Sequence, residues 1–303
     1  MEGPEGSLRV VTEPTHGDAA RIALADTRFA DVRWVAETGS TNQDVMELAR
    51  QGEPEGIVVV ADHQTAGRGR RGRTWEAPEG AALMATILLR PWTSVAGLST
   101  MAVALAASEA IEELTGVVAR LKWPNDLVWP GDGSSHDRKL AGILAEADWP
   151  AVSHIAGGWS PSDPGSRAVV AVGIGINVAW ADQMPTELAQ IAVALDQIVA
   201  PASPPSREAL LVAFLRRLDD RYGSMMGAPG GDRAAGANVE AVRSAWEARS
   251  ATIGRRVRVD LGSDDVIGTA VGLTQEGHLV VETLEGERRT VAVGDVVHLR
   301  PAG

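Results

Sequence analysis

Hydrophobic positions along this chain follow two rhythms, and the change between them marks its organisation. From Val32 to Val178, short β-branched or apolar runs at Val32–Val35, Ile57–Ala61, Leu83–Leu88, Val117–Lys122, Leu127–Trp129, Leu140–Ala145 and Ala168–Val178 predict strands. Ser40 and Gln43 have the spacing of a capping box, which predicts a helix running to about Gln51 before Gly52 and Pro54 stop it. Thr100–Leu114 carries Ala and Leu at helix-compatible positions, with Glu109, Glu112 and Glu113 on the expected wet side. Further helices are predicted over Arg207–Met226, after the proline-rich Pro201–Ser206, and over Val239–Ser250, after a loop at Gly227–Asn238. From Gly254 the pattern becomes short alternating segments: Val257, Val259 and Leu261, then Val266–Val271, Leu279–Leu284, Thr290–Val293 and Val296–Leu299, with glycines between them. That spacing predicts a small β-barrel of roughly 50 residues. The expected plan is a disordered tail over 1–20, an α/β domain over 21–252 and the barrel over 253–303.

Composition narrows the chemistry. With 303 residues, 45% of them hydrophobic, the chain has material for a packed core and about two domains. Its 28 Lys and Arg against 40 Asp and Glu give a net charge of −12, which argues against broad attachment to nucleic acid or an anionic membrane. Any basic cluster must act locally. The absence of cysteine excludes a disulfide framework, a thiolate metal site and a cysteine nucleophile on this chain. Met1–Ala20 is acidic and has no apolar stretch, so neither a signal peptide nor a membrane anchor is expected and a cytoplasmic protein is. Pro91–Ser108 is uncharged but mostly Ala and interrupted by Pro91, Thr93, Ser94, Ser99 and Thr100, which suits a buried helix approached through a loop, not a membrane span. Asp148–Arg167, rich in Gly, Pro, Ser and Asp, reads as a long, mobile hairpin loop.

The sharpest local feature is Gly67-Arg-Gly-Arg-Arg-Gly-Arg73, flanked by Gln64 and Trp75. Its glycines bare backbone N–H groups and its arginines supply fixed positive charge, a composition suited to an anion. Gly67, Gly69 and Gly72 formally satisfy the dinucleotide fingerprint, but the residues after them do not open a helix and no acidic residue follows near position 92. Taken alone, a solvated basic loop is the better reading. Lys122-Trp-Pro-Asn-Asp126 gathers a cation, an amide and a carboxylate at a strand end, although taken alone a β-turn in which Asn125 and Asp126 bond their own backbone is the better reading. Arg138-Lys-Leu-Ala-Gly-Ile-Leu144 places two cations at the start of a strand, where Gly142 marks either a close approach or a bulge. Ser40-Thr-Asn42 alone is no more than an N-cap. Gly173-Ile-Gly-Ile-Asn177 alone is a strand with crowding relieved.

Taken together and in order, Thr38–Asn42, Gln64–Arg73, Lys122–Asp126, Arg138–Leu144 and Gly173–Asn177 closely resemble the biotin protein ligases. The match spans most of Ala36–Val178, with a fainter echo in the barrel. The resemblance implies a mixed-sheet α/β (α+β) catalytic domain, shared with lipoate ligases, and an SH3-like C-terminal barrel. It implies two steps: biotin and Mg-ATP give biotinyl-5′-AMP and pyrophosphate, and a lysine of a biotin carboxyl carrier protein domain of a biotin-dependent carboxylase then takes the biotin. On the family pattern Ser40, Thr41, Asn42, Gln64 and Gly142 contact biotin, while Gly67, Arg68, Gly69 and Arg70 lie along its tail and activated carboxylate as the loop closes. Lys139 reaches the carboxylate and α-phosphate oxygens, and Lys122 is a second phosphate contact. Asp126 orients that lysine or the incoming amine. Arg68, Arg70 and Asn125 also belong to the ATP side, with Trp75 and Asn177 at the adenine. The implied catalytic set is Lys139, Arg70, Lys122 and Asp126; Arg71 is expected to point outwards and be dispensable.

Regulatory members of the family carry an N-terminal DNA-binding domain. Here the first motif begins at Thr38, so the monofunctional type is expected, with no nucleic acid, no membrane, and a monomer or weak homodimer. Magnesium is expected on ATP phosphates and water, with no protein ligand set among the six histidines. The inserts Trp129–Asp137 and Trp149–Arg167 fall outside the pattern and read as solvent-exposed extensions. A lipoate or octanoate ligase is the alternative enzyme, disfavoured by Gln64 and the Gly/Arg loop, which suit a polar head. A nonenzymatic biotin or nucleotide binder is the alternative of another class, disfavoured by Lys122 and Lys139.

Overall fold

Ala82–Leu89 is buried at all eight positions, so the strand it forms is covered on both faces. In the computed structural model, which describes residues 17–130, 137–148, 167–227, 235–262, 264–292 and 294–299, that strand lies within a seven-stranded sheet. The chain opens with α1 (Asp18–Ala23), β1 (Val32–Thr38), α2 (Thr41–Arg50), β2 (Val58–Gln64) and β3 (Ala82–Leu89). It continues through α3 (Ser99–Thr115), β4 (Arg120–Lys122), β5 (Asp126–Trp129), β6 (Arg138–Asp148) and β7 (Val169–Asn177). Two one-turn helices, α4 (Thr186–Ala189) and α5 (Leu195–Ile198), precede α6 (Arg207–Met226) and α7 (Ala235–Ala248). The last segment forms β8 (Arg256–Asp260), β9 (Asp265–Leu273), β10 (Leu279–Thr283), β11 (Arg288–Val291) and β12 (Asp295–His298). α1 begins inside the segment read as tail, and its Ala20 is buried. Met1–His16 and most of the two inserts, including the body of the hairpin loop, lie outside the described residues.

The large sheet has the order β1-β2-β3-β7-β6-β5-β4, with β1 and β2 parallel and every other pair antiparallel. Its faces are divided by strand alternation. On β7, Val170, Val172, Ile174 and Ile176 enter the main core beneath α3, α6 and α7, where they meet residues such as Leu105, Phe214 and Trp246. On the opposite face Ala171 packs with Val45 of α2, Ile57, Val59 and Leu88. Gly173 and Gly175 continue that second face, Gly173 under Asn42 at the start of α2 and Gly175 under Trp75, and the concave site forms there.

Three local expectations are corrected. Ser40 is the N-cap of α2 but its side chain makes no capping bond; the Thr41 N–H is taken at 2.9 Å by Gln64 Oε1, so a residue remote in sequence replaces the capping box. Glu109, Glu112 and Glu113 do not simply face water: they pair with Arg221, Arg249 and Arg217, which α6 and the segment after α7 bring across. Leu261 is 38% exposed because β8 ends at Asp260 and the chain turns at Gly262.

The C-terminal strands form a five-stranded antiparallel sheet, order β11-β10-β9-β8-β12, around Val257, Val259, Ala270, Leu279, Val281, Val291 and Val296. The segment that leads into it is fastened to β4 through backbone. Leu121 N–H donates to Arg249 O at 2.9 Å and Ala251 N–H donates to Leu121 O at 2.7 Å. Trp123 Nε1 donates to Gly277 O in the β9–β10 turn at 3.1 Å. Among the described residues no helix is long and apolar enough to cross a membrane.

Candidate active site

The floor of the cavity exists because β6 and β7 lack side chains at three points. Gly142 and Gly175 are register partners, and Gly173 lies two residues from Gly175 on the same face, roughly 7 Å away along the strand. A Cβ on Gly175 would stand 2.5 Å from the Trp75 ring, and one on Gly173 would stand 2.1 Å from Asn42 Oδ1. At Gly142 the Lys139 side chain lies 2.9 Å from the same hypothetical atom. Gly142 is approached by the Lys139 and Trp75 side chains, and a bulge in β6 lies beside it where the β5 register shifts.

At the Gly173 end the site is built of hydroxyls and amides. Thr41 Oγ1 lies 3.1 Å from Gln64 Oε1, and Thr86 Oγ1 lies 2.7 Å from Thr41 Oγ1 and 2.8 Å from Asn42 Oδ1. Asn42 Nδ2 donates to Leu144 O at 3.1 Å and Glu146 Oε2 at 2.9 Å, which fixes its orientation. Among the described residues Gln64 Nε2 has only Met84 Sδ as acceptor, at 3.4 Å. A thioether is a weak acceptor, so this N–H remains available to a stronger one. Ser40, its side chain unspent on capping, lines the cavity beside them.

The Gly175 end carries charge. Lys139 Nζ lies 2.7 Å from Asp126 Oδ1 and 5.7 Å from the Trp75 ring centre. The lysine's backbone is pinned on both sides, N–H to Ile191 O at 2.7 Å and C=O from Val193 N–H at 2.9 Å. Trp75 Nε1 is buried with no hydrogen-bond partner among the described residues, a cost of about 1–3 kcal/mol that a bound acceptor would relieve. β4 and β5 meet at the Trp123–Asn125 turn, so Lys122 and Asp126 flank it as register partners, both lining the cavity.

Across from these, the Gly/Arg segment folds into a short 3-10 turn at Arg70–Gly72, with Arg71 at φ 55°. Arg70 Nη1 donates to Asn125 Oδ1 at 3.1 Å, while Asn125 Nδ2 donates to Ile143 O at 2.7 Å. Asn125 thus orients an arginine and does not merely close a turn. Asp295 on β12 receives Arg70 at 3.5 Å, Arg71 at 3.6 Å and Arg73 more closely still. Burial lowers the Arg70 pKa from its ordinary value, with Asp295 and Asp126 opposing; the guanidinium stays charged. Arg68 approaches Glu146 at 3.7 Å.

The cavity enclosed by these residues measures about 290 Å³. Ser40, Thr41, Asn42, Gln64, Arg68, Gly69, Arg70, Trp75, Lys122, Asn125, Asp126, Lys139 and Gly142 all line it. Gly67 and Asn177 do not. Gly67 lies behind Trp75, where a Cβ would stand 2.3 Å from the Trp75 carbonyl oxygen. Asn177 is buried, its Nδ2 donating to Val193 O at 3.0 Å, so it braces the segment that pins Lys139. Arg71 turns away from the cavity as expected, but it is engaged: Nη2 donates to Asp260 O at 2.9 Å on the barrel. The sequence reading missed Thr86, hidden in an apolar strand, and Asp295, Val296 and Val297, which carry the barrel into the wall. Among the described residues no group of three or more His, Asp or Glu is arranged to hold a metal ion.

A mixed sheet with a glycine-floored cavity on one face, a Gly/Arg loop, a KWPND turn and an appended barrel defines a protein-modifying ligase class. Residues 34–154 match the biotin/lipoate A/B protein ligase family and 252–299 match the biotin protein ligase C-terminal domain. Within that class the chain belongs to the biotin protein ligases. It is 34% identical over 278 residues to the biotin–[acetyl-CoA-carboxylase] ligase of Mycobacterium tuberculosis, an alignment covering 88% of each chain. It is 32% identical over 253 residues to the bifunctional ligase/repressor BirA of Bacillus subtilis, covering 82% of this chain and 69% of that one. In three dimensions it is similar to the biotin protein ligase of Aquifex aeolicus in complex with biotin and ATP, with TM-score 0.67, 27% identity, and coverage of 90% of this chain and all of that one.

Proposed function

We propose that the chain activates biotin with ATP and transfers it to a lysine of a biotin carboxyl carrier protein domain, as in acetyl-CoA carboxylase. The observation that carries this reading is the single cavity in which a hydroxyl and amide cluster adjoins a cationic one. Gln64, Thr41, Ser40 and Asn42 suit the ureido ring of biotin, with the under-used Gln64 N–H as donor to its carbonyl. The adjoining Arg68, Arg70, Lys122 and Lys139 suit a carboxylate and phosphates.

In the first step a biotin carboxylate oxygen attacks the α-phosphorus, the bond to the β-phosphate oxygen breaks, and pyrophosphate leaves. Charge builds on the α-phosphoryl oxygens, and Lys139, pre-oriented by Asp126 and its pinned backbone, neutralises it without reorganising. Arg70, held by Asn125, faces the same oxygens. Trp75 offers its ring face and its unpaired Nε1 to the nucleotide. In the second step the carrier lysine amine attacks the acyl carbon, a C–N bond forms, a proton is lost, and AMP leaves. No covalent enzyme intermediate is needed, in keeping with a chain that has no cysteine. Because an acyl-adenylate hydrolyses in water, the Gly/Arg segment serves best by closing over it.

Magnesium accompanies ATP on its phosphates and water. The carboxylates lining the cavity, Asp126 and Asp295, are paired with Lys139 and with three arginines, so these donors do not form a protein site for it. A lipoate or octanoate ligase is disfavoured because a plain acyl chain would leave the Gln64 and Thr41 groups unmatched. The test is incubation with biotin, Mg-ATP and a purified carrier domain, followed by intact-mass measurement. One added biotin on one carrier lysine is expected; octanoylation or lipoylation in preference to biotinylation contradicts the reading. A cytoplasmic location goes with such an activity.

A further inference from the structure

β12 belongs to the barrel, yet its Asp295, Val296 and Val297 line the catalytic cavity and its last residue, His298, packs behind the cavity wall. At its start Asp295 holds the arginines of the loop. At its end His298 is inserted between the two segments that carry the cavity's lysines. His298 Nδ1 lies 3.0 Å from Asp137 Oδ2, and Asp137 immediately precedes Arg138 and Lys139 on β6. His298 Nε2 lies 3.3 Å from Thr252 Oγ1, and that oxygen accepts the Trp123 N–H at 3.1 Å, one residue after Lys122. The side chains of His298 and Asp137 are only 13% and 9% exposed, and Thr252 is fully buried. This corrects the expectation that Trp129–Asp137 is simply a solvent-exposed extension, because its last residue is enclosed by the barrel.

One tautomer meets the Asp137 and Thr252 contacts together, and in it Nδ1 does not accept from Arg255 Nη1, 3.2 Å away, whose hydrogen bond goes to Asp137. Nδ1–H donates to Asp137, Nε2 accepts the Thr252 O–H, and the Thr252 oxygen accepts the Trp123 N–H. The groups facing the ring are Asp137, Thr252, Arg255 and Lys122. Arg255 also pairs with Asp137 at 2.7 Å, so that carboxylate is saturated by the barrel and is not free to capture either lysine. Among the described residues Lys122 has no ion-pair partner, which leaves its charge for a ligand. Burial, with Lys122 and Arg255 nearby, lowers the His298 pKa to about 4, so the ring is neutral near pH 7. Neutrality keeps the Nε2 lone pair for Thr252 and adds no competing cation beside Lys122.

We propose that His298 is a positioning residue for the nucleotide side of the reaction, its two ring nitrogens fixing the backbones that present Lys139 and Lys122 to the triphosphate. The inference rests on the assignment of those lysines to phosphate. It makes the barrel part of the adenylation apparatus through a residue that touches neither substrate.

The test measures biotin-dependent ATP–pyrophosphate exchange in the full chain, with separate KM values for ATP and biotin. His298→Ala is expected to raise the ATP KM about tenfold, since sub-ångström misplacement of a charge is enough, while leaving the biotin KM within about twofold. His298→Gln retains one donor and one acceptor and is expected to recover most of that loss. Thr252→Val, which replaces the hydroxyl by a methyl group and so breaks its links to both His298 and Trp123, carries the same comparison if His298→Ala does not fold, and is expected to raise the ATP KM alone. An ATP KM unchanged in the folded variants, or ATP and biotin constants moving together, overturns the proposal. Exchange in the parent that does not require biotin contradicts the underlying functional reading instead.

Discussion

Lys139 is held from three directions: Asp126 orients its ammonium, and Ile191 and Val193 bond its backbone. Lys139→Ala therefore removes a charge without removing the frame that presents it. The lost ion pair is partly exposed on both sides and worth at most about 1 kcal/mol. Biotin-dependent pyrophosphate release is expected to fall by about 100-fold or more, in line with the loss of one preorganised oxyanion contact. Thermal denaturation is expected to stay near the parent's, and normal pyrophosphate release would contradict the assigned role. Gly175 makes the complementary case. A methyl group there stands 2.5 Å from the Trp75 ring, so Gly175→Ala displaces the indole from the floor. A higher ATP KM with a smaller change in biotin KM is the expected kinetic result; unchanged ATP binding would show that Trp75 does not face the nucleotide.

At the level of elements, the Gly/Arg segment is a short 3-10 turn tied to two domains, with Arg70 on Asn125 and Arg71 and Arg73 on the barrel. Arg70→Ala leaves the Arg71 and Arg73 ties and the Gly67 packing against Trp75 in place. The adenylate is then expected to dissociate or hydrolyse faster, measured by chasing labelled intermediate, while stability changes little; equal retention would remove Arg70 from the closing loop. Gly67→Ala is a poorer probe, since its Cβ meets the Trp75 carbonyl oxygen and the loop itself must shift. The elements that were legible in sequence share a local cause. Apolar runs such as Ala82–Leu89 and Ala168–Val178 are continuous because the sheet is covered on both faces, and α6 begins and ends where Ser206 and Gly227 stand. What was not legible depends on long-range contact. Gln64 substitutes for a capping side chain from another strand, Thr86 looks like one polar residue in a core strand, and Asp295 lies 222 residues from the arginine it holds. Motif order could gather Lys122, Lys139 and the loop, but it carried no signal that Asn177 braces the wall from outside the cavity.

Across the whole molecule, the barrel is bonded to the catalytic domain at Trp123, Asp137 and the arginine loop, so the two fold and lose stability together in this account. His298 gives that coupling a pH signature. Its pKa is lowered from 6.5 to about 4, so between those values the unfolded chain binds more protons than the folded one. The contribution of neutral His298 is fully present above about pH 6.5 and is lost as pH falls towards 4. His298→Gln is expected to flatten that part of the stability profile relative to the parent in chemical denaturation series; parallel profiles would place the histidine's shift elsewhere. The central claim is that this single cavity makes and keeps a noncovalent biotinyl-adenylate before handing the acyl group to a lysine. The direct measurement is to load the protein with biotin and Mg-ATP, remove free nucleotide, and then add the carrier domain alone. The account predicts about one biotin transferred per enzyme without further ATP, with no label on the enzyme after denaturation. Transfer that requires fresh ATP, or label remaining covalently on the enzyme, would contradict it.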